Sequence, residues 1–186
     1  MKRFCSLSLA FMILFLSSCS LGGDNMRMGL FDNDAQIAND SFEKIIEAIQ
    51  GRDTDKIKSL FSKKSIAETD DFDEDVLALF NFYQGEMSSY NDWGARSADE
   101  GKNDDGTGRD WKSIQSTYDV ETSKQKYRFA IKTFILDTAD PDNVGICSLY
   151  IIKAEDSDLQ FAYWGDRLWT PGINVIQSDI QRSIDD

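Results

Sequence analysis

The chain has 186 residues, with 33 acidic against 20 basic side chains, no histidine, and a formal net charge of −13. That length supports one domain with a substantial core and little more. The acidic balance argues against nucleic acid as a partner, because phosphate backbones are held by Lys and Arg. The lack of histidine removes the usual general base near neutral pH and the commonest transition-metal ligand, which excludes enzyme classes built on histidine but not carboxylate chemistry.

In chain order, the first element reads as a targeting segment. Lys2 and Arg3 precede an apolar run over residues 7–16, which ends in Ser17 and Ser18. Roughly ten apolar residues are too few to span a hydrocarbon core of about 30 Å, and they suit a signal peptide. Leu16-Ser17-Ser18-Cys19 resembles the lipobox of bacterial lipoproteins, in which the cysteine thiol takes a diacylglyceryl group before cleavage. The expected organisation is a signal peptide at 1–18, a lipidated N-terminus and flexible tether at 19–31, and a single α+β domain at 32–186. Plain secretion with an incidental cysteine is the alternative. Acylation at Cys19 would hold the protein to the extracytoplasmic face of the cell membrane, since each buried methylene contributes about 0.8 kcal/mol. Loss of Lys2 and Arg3 leaves 18 basic against 33 acidic residues, or −15. Cys5 leaves with the signal and Cys19 carries lipid. Cys147, inside the run GICSLYII, is then expected to be a small core residue rather than a nucleophile.

The next segments have helical period. Over residues 34–50, Ile37, Phe42, Ile45, Ile46 and Ile49 recur every three or four positions, with Gly51 as the stop. Asp53 can cap a second helix carrying Ile57, Leu60 and Phe61, which residues 63–66 prolong or follow. A third helix fits 73–83, with acidic residues in its first turn and Gly85 beyond its end.

From residue 116 the period changes to two. Residues 116–122 form one strand. Tyr127, Phe129, Ile131, Thr133 and Ile135 line one face of another, with Arg128 and Lys132 opposite. Residues 139–143 are a turn by composition. The apolar run 144–152 predicts a central strand with 159–164 as its partner. Residues 87–98 suggest an edge strand, 101–109 a solvated loop, and 174–184 a short helix. Helices followed by antiparallel strands make an α+β fold.

The segments FEKIIEAIQGRDTDKIKSLFS (42–62), FYQG (82–85), KYRFAI (126–131), GICSLYII (145–152) and PGI (171–173) carry a resemblance spanning most of the chain after residue 31. Together with the lipobox, they resemble an uncharacterised family of Gram-positive bacterial lipoproteins with the cone-shaped fold of nuclear transport factor two. That resemblance implies N-terminal helices packed on a curved antiparallel sheet, and it leaves a homodimer through the sheet open. These are packing motifs, nearly silent on activity.

For function, the aromatics of the strand half stand out. Tyr90, Trp93, Tyr118, Tyr127, Phe129, Tyr150 and Trp164 are the candidate walls of a cavity between sheet and helices. Core packing is the competing reading. The acidic loop at 103–106 fails as an EF-hand: placing Gly106 sixth puts Gly101 first and Lys112 twelfth, where acidic ligands belong. A solvated turn suits it better than an irregular calcium site. Steroid-isomerase-like cones use a buried carboxylate with tyrosines, but Asp119 and Glu121 alternate away from Tyr118 and Val120. No catalytic residue, metal ligand or cofactor is assigned. The expected role is binding a small apolar ligand or an envelope protein, with a carboxylate/tyrosine isomerase or hydrolase, or a structural assembly protein, as alternatives.

Overall fold

The computed structural model describes residues 24–92, 97–102, 110–157 and 168–177, with side chains from residue 33 onward. The chain divides into two compact units, 1–36 and 37–186. In the first, the described residues are helical. Helix α1, Asp24–Gly51, therefore begins inside the stretch expected as a tether at 19–31. Cys19 and the segment 1–18 lie outside the described residues.

In the second unit, Ala38, Phe42, Ile45, Ile46 and Ile49 make the buried stripe of α1. The helix does not stop on Gly51 itself. Arg52 takes the left-handed position at φ 50, and the amides of Arg52 and Asp53 return to the carbonyls of Ile49 and Ala48 at 3.1 and 2.9 Å. That is the glycine-favouring helix end carried by an arginine. A tertiary clamp holds it: Nη1 donates to the Phe80 carbonyl at 3.1 Å, Nη2 to Asn81 Oδ1 at 3.2 Å, and the guanidinium lies 5.4 Å from the Phe80 ring centre.

Three short helices follow, each opened by a side-chain cap. Asp53 accepts from the Lys56 amide to start α2, Thr54–Leu60. Ser62 does the same for α3, Lys63–Glu68, which is separate from α2 rather than its extension. Asp71 caps α4, Phe72–Phe82, whose first turn carries Asp73, Glu74 and Asp75 as the helix dipole favours.

Six strands form one sheet among the described residues: β1 Met87–Asp92, β2 Ser97–Lys102, β3 Asp110–Thr122, β4 Lys126–Asp137, β5 Gly145–Lys153 and β6 Gly172–Ile176. The order is β1-β3-β4-β5-β6, with β2 also paired to β3, and every pairing is antiparallel except β5 with β6. The edge expected at 87–98 is thus two strands meeting opposite halves of β3. As expected, β5 is internal. The partner strand expected at 159–164 lies outside the described residues, and β6 flanks β5 in parallel. The tail predicted as a helix from 174 is strand through Ile176. Its alternating β-branched residues, with Ile173 inward and Asn174 outward, suit a pleated surface better than a helix.

Cross-strand pairs sort the sheet into two faces. Tyr118↔Phe129, Val120↔Tyr127 and Ile131↔Leu149 lie on the inner face, against Phe42, Ile45, Ile57, Val76 and Leu79 of the helices. Arg128↔Ile152 and Ala130↔Tyr150 lie on the outer face. Irregularities at Lys112/Ser113 and Lys132/Thr133 break the alternation, so the stripe read through Thr133 and Ile135 ends at Ile131.

Candidate functional site

Of the candidate aromatic walls, Tyr90, Tyr118, Tyr127 and Phe129 belong to the inner face and Tyr150 to the outer one. Tyr118, Tyr127 and Phe129 expose no more than 1% of their surface. Tyr118 stacks on Phe42 with centroids 4.0 Å apart and planes 11° from parallel, while Phe129 meets Phe42 edge-on at 5.8 Å. Tyr127 stacks on Tyr83 at 5.1 Å. Tyr90, half-buried at the sheet edge, packs edge-on to Phe42 and donates to Glu43 Oε1 at 2.8 Å. Tyr150 belongs to the opposite face, where it packs with Ala130, Ile152, Trp169 and Ile176 and accepts from the Thr170 amide at 2.8 Å. Trp93 and Trp164 lie outside the described residues. The inner aromatics are therefore core rather than cavity wall, because the broad apolar stripe of α1 and the side chains of α4 fill that face. Sequence periodicity says which face a ring takes; it does not say whether the facing element fills the space.

The carboxylates weighed for proton transfer sit on the outer face. Asp119 receives Arg128 Nε at 2.8 Å and Nη2 at 3.3 Å, and Arg128 Nη1 continues to Ser157 Oγ at 3.0 Å. Glu121 pairs with Lys126 at 3.2 Å. Cys147 is half-buried, and burial pushes its thiol up to about 11, well away from a reactive thiolate. Among the described residues, no three side chains of ligating type converge as a metal site.

Three surface depressions stand out among the described residues. An acidic one, of about 380 Å³, runs between the α3–α4 junction (Glu68, Asp70, Asp71, Glu74, Asp75) and the strand entry at Thr170. Burial, then repulsion from Asp71, Glu74 and Asp70, raises the Asp75 carboxyl above its ordinary range. A second, of about 430 Å³, lies beside Trp111 and Leu136 at the far end of β2 and β3.

The third is a groove of about 500 Å³ where four elements end together. Helix α4 supplies Asn81 and Phe82, and the residue after its cap supplies Gln84. The end of β5 supplies Lys153, the 3-10 turn Ala154–Asp156 supplies Asp156, and the residue after β6 supplies Gln177. The helix rim is fixed from within the core. Tyr127 Oη donates to the Phe82 carbonyl at 2.9 Å and accepts from the Gln84 amide at 2.8 Å, while Gln84 Nε2 caps the Asn81 carbonyl at 2.7 Å. Lys153, Asp156 and Gln177 spend no side-chain hydrogen bond or ion pair among the described residues. One cation, one anion and three carboxamides make a lining that is neutral overall and rich in donors and acceptors. Sequence reading singled out none of these polar residues. They share no motif or period, and only the common ending of four elements brings them together.

Comparison with known proteins adds a family. Residues 44–154 match the model described as "Domain of unknown function (DUF5104)". That span runs from the middle of α1 to the end of β5, so it includes Asn81, Phe82, Gln84 and Lys153 but not Asp156 or Gln177. No curated protein matches the chain.

Proposed function

We propose a function from one premise: the chain belongs to the DUF5104 family of domains of unknown function. In our reading it is a lipoprotein, acylated at Cys19 and held on the extracytoplasmic face of the cell membrane, where its folded body acts as a binding or protein-interaction module. The observation that carries this is Leu16-Ser17-Ser18-Cys19 behind a basic end and a short apolar run. In this reading acyl chains supply the attachment, and no helix among the described residues is long and apolar enough to cross a membrane.

The packed inner face moves binding to the surface. With Tyr118, Tyr127 and Phe129 buried in the core, the groove at the end of α4 is the site we favour. The helices-then-strands order, with one sheet face under helices, also supports relating the fold to the cone of nuclear transport factor two and to the Gram-positive lipoproteins that share it. Asp119 and Glu121, ion-paired on the outer face, count against a carboxylate/tyrosine enzyme.

Labelling cells with an alkyne analogue of palmitate tests the anchor. The full-length protein should take up label and partition with membranes, and Cys19→Ala should lose both. An intact, unlabelled amino terminus in the cytosol would refute the reading.

A further inference from the structure

We infer that the groove at the end of α4 binds a neutral saccharide, two or three rings long, through the carboxamides of Asn81, Gln84 and Gln177 and the charged pair Lys153 and Asp156. The inference rests on the reading of the body as a surface-binding module and names the ligand class of that site.

The lining decides the class by exclusion. An anion would meet Asp156 as well as Lys153, and a cation the reverse, so a strongly charged ligand gains little over water. An apolar ligand would strip water from Lys153, Asp156 and Gln177, which have no internal side-chain partner among the described residues, and would return no hydrogen bond to them. A ligand dense in hydroxyls or acetamido groups can give and take hydrogen bonds with every one of these side chains. Phe82, half-buried at the rim and tilted against Tyr127 at 5.6 Å, adds an apolar surface for a sugar ring.

A peptide is the other hydrogen-bonding class. One common mode of peptide capture adds an extended segment to a strand edge. This groove runs across element ends instead: the end of α4, the last residue of β5, a 3-10 turn and the residue after β6. It presents side-chain amides in a compact cluster, which suits rings better than an extended backbone. The volume of about 500 Å³ lies within the range of small-molecule sites.

The rim is also pre-organised. The two hydrogen bonds of Tyr127 hold the Phe82–Gln84 turn from beneath. Little ordering is then needed when a ligand arrives.

Calorimetric titration of the full-length protein in detergent micelles, with triacetylchitotriose and with maltotriose as probes, tests this. Hydrogen exchange maps the contact. Saturable binding of either sugar with a dissociation constant below about 1 mM, with protection at residues 81–84 and 153–156, is expected. Lys153→Ala and Gln177→Ala, at side chains without internal bonds, should each weaken binding about tenfold, equivalent to about 1.4 kcal/mol. Absence of heat with both sugars at about ten times that concentration, binding indifferent to both substitutions, or binding of trialanine in place of the sugars would overturn the inference. Lipid labelling at Cys19 is read separately, so loss of the anchor and loss of the saccharide site are distinguishable outcomes.

Discussion

Two stacked tyrosines in the core should respond to the same mutation with opposite signs. Tyr83 and Tyr127 lie 5.1 Å apart with planes 23° from parallel, and both are at least nine-tenths buried. The Tyr127 hydroxyl makes two bonds, to the Phe82 carbonyl and from the Gln84 amide, whereas the Tyr83 hydroxyl is buried with no hydrogen-bond partner among the described residues. Tyr127→Phe keeps the ring but leaves a carbonyl and an amide at the helix end unmatched, a loss of about 2 kcal/mol. Tyr83→Phe removes a desolvated hydroxyl that returns nothing, a gain of about 1 kcal/mol. For a body of this size, each kcal/mol moves the melting temperature by about 2–4 °C. Calorimetric melts should therefore show Tyr127→Phe lower by about 4–8 °C and Tyr83→Phe higher by about 2–4 °C. Urea midpoints should shift in step at unchanged slope. Alkaline titration supplies a second readout. Burial, and then the neighbouring Tyr127, pushes the Tyr83 phenol up to about 12. The unfolded chain releases this proton near pH 10, before the folded one does, so stability contributed by the neutral phenol is complete below about pH 10 and falls between about pH 10 and 12. Tyr83→Phe should flatten that fall. If Tyr83→Phe destabilises the protein as much as Tyr127→Phe, the hydroxyl has a partner in solution and the reasoning is wrong.

Further expectations follow from single residues. Gly145 sits at φ 128, and a Cβ there would come within 2.7 Å of the Ser62 amide nitrogen, so Gly145→Ala should cost roughly 2 kcal/mol or more in chemical denaturation. A loss near zero would mean that the α2–α3 junction yields freely. Asp75 has its folded-state carboxyl raised by burial and by Asp71, Glu74 and Asp70, so the native state takes up its proton before the unfolded chain as pH falls. Its destabilising charge is fully present at neutral pH and is relieved on acidification through the folded value. Asp75→Asn should thus raise the melting temperature at pH 7, with the gain shrinking toward pH 4; a gain that grows on acidification would contradict this. Arg52→Gly should be milder than Arg52→Ala in thermal melts. Both lose the clamp onto Phe80 and Asn81, but only glycine adopts the positive φ without strain.

Local chemistry is legible in the residues alone. The apolar stripe of α1, the cap at Asp53, the acidic first turn of α4, and the faces of Tyr127, Phe129 and Arg128 all follow from period and from short-range hydrogen bonding. The errors have tertiary causes. Gly51 looks like the helix stop, yet Arg52 takes the left-handed position because Phe80 and Asn81, almost thirty residues on, hold its guanidinium. The tail from Asn174 looks helical, yet β5 offers Ile173 and Val175 a strand partner and a buried face. The aromatic set, by contrast, allows core packing as well as a cavity wall, and the sequence alone leaves both open. Whether a face is hollow depends on the side chains opposite it, and here Phe42 and its neighbours fill it.

By itself, the order of residues determined the helices-then-strands class, the faces of the strands and the acidic, histidine-free chemistry available to the chain. These depend on neighbours a few positions away, where backbone geometry alone sets which groups meet. The tertiary structure decided that Tyr118, Tyr127 and Phe129 are buried in the core and that Asn81, Gln84, Lys153, Asp156 and Gln177 border one groove. Side chains from the ends of separate elements meet only after the sheet has set their register and the helices have closed over it, and no local pattern in the sequence records that meeting.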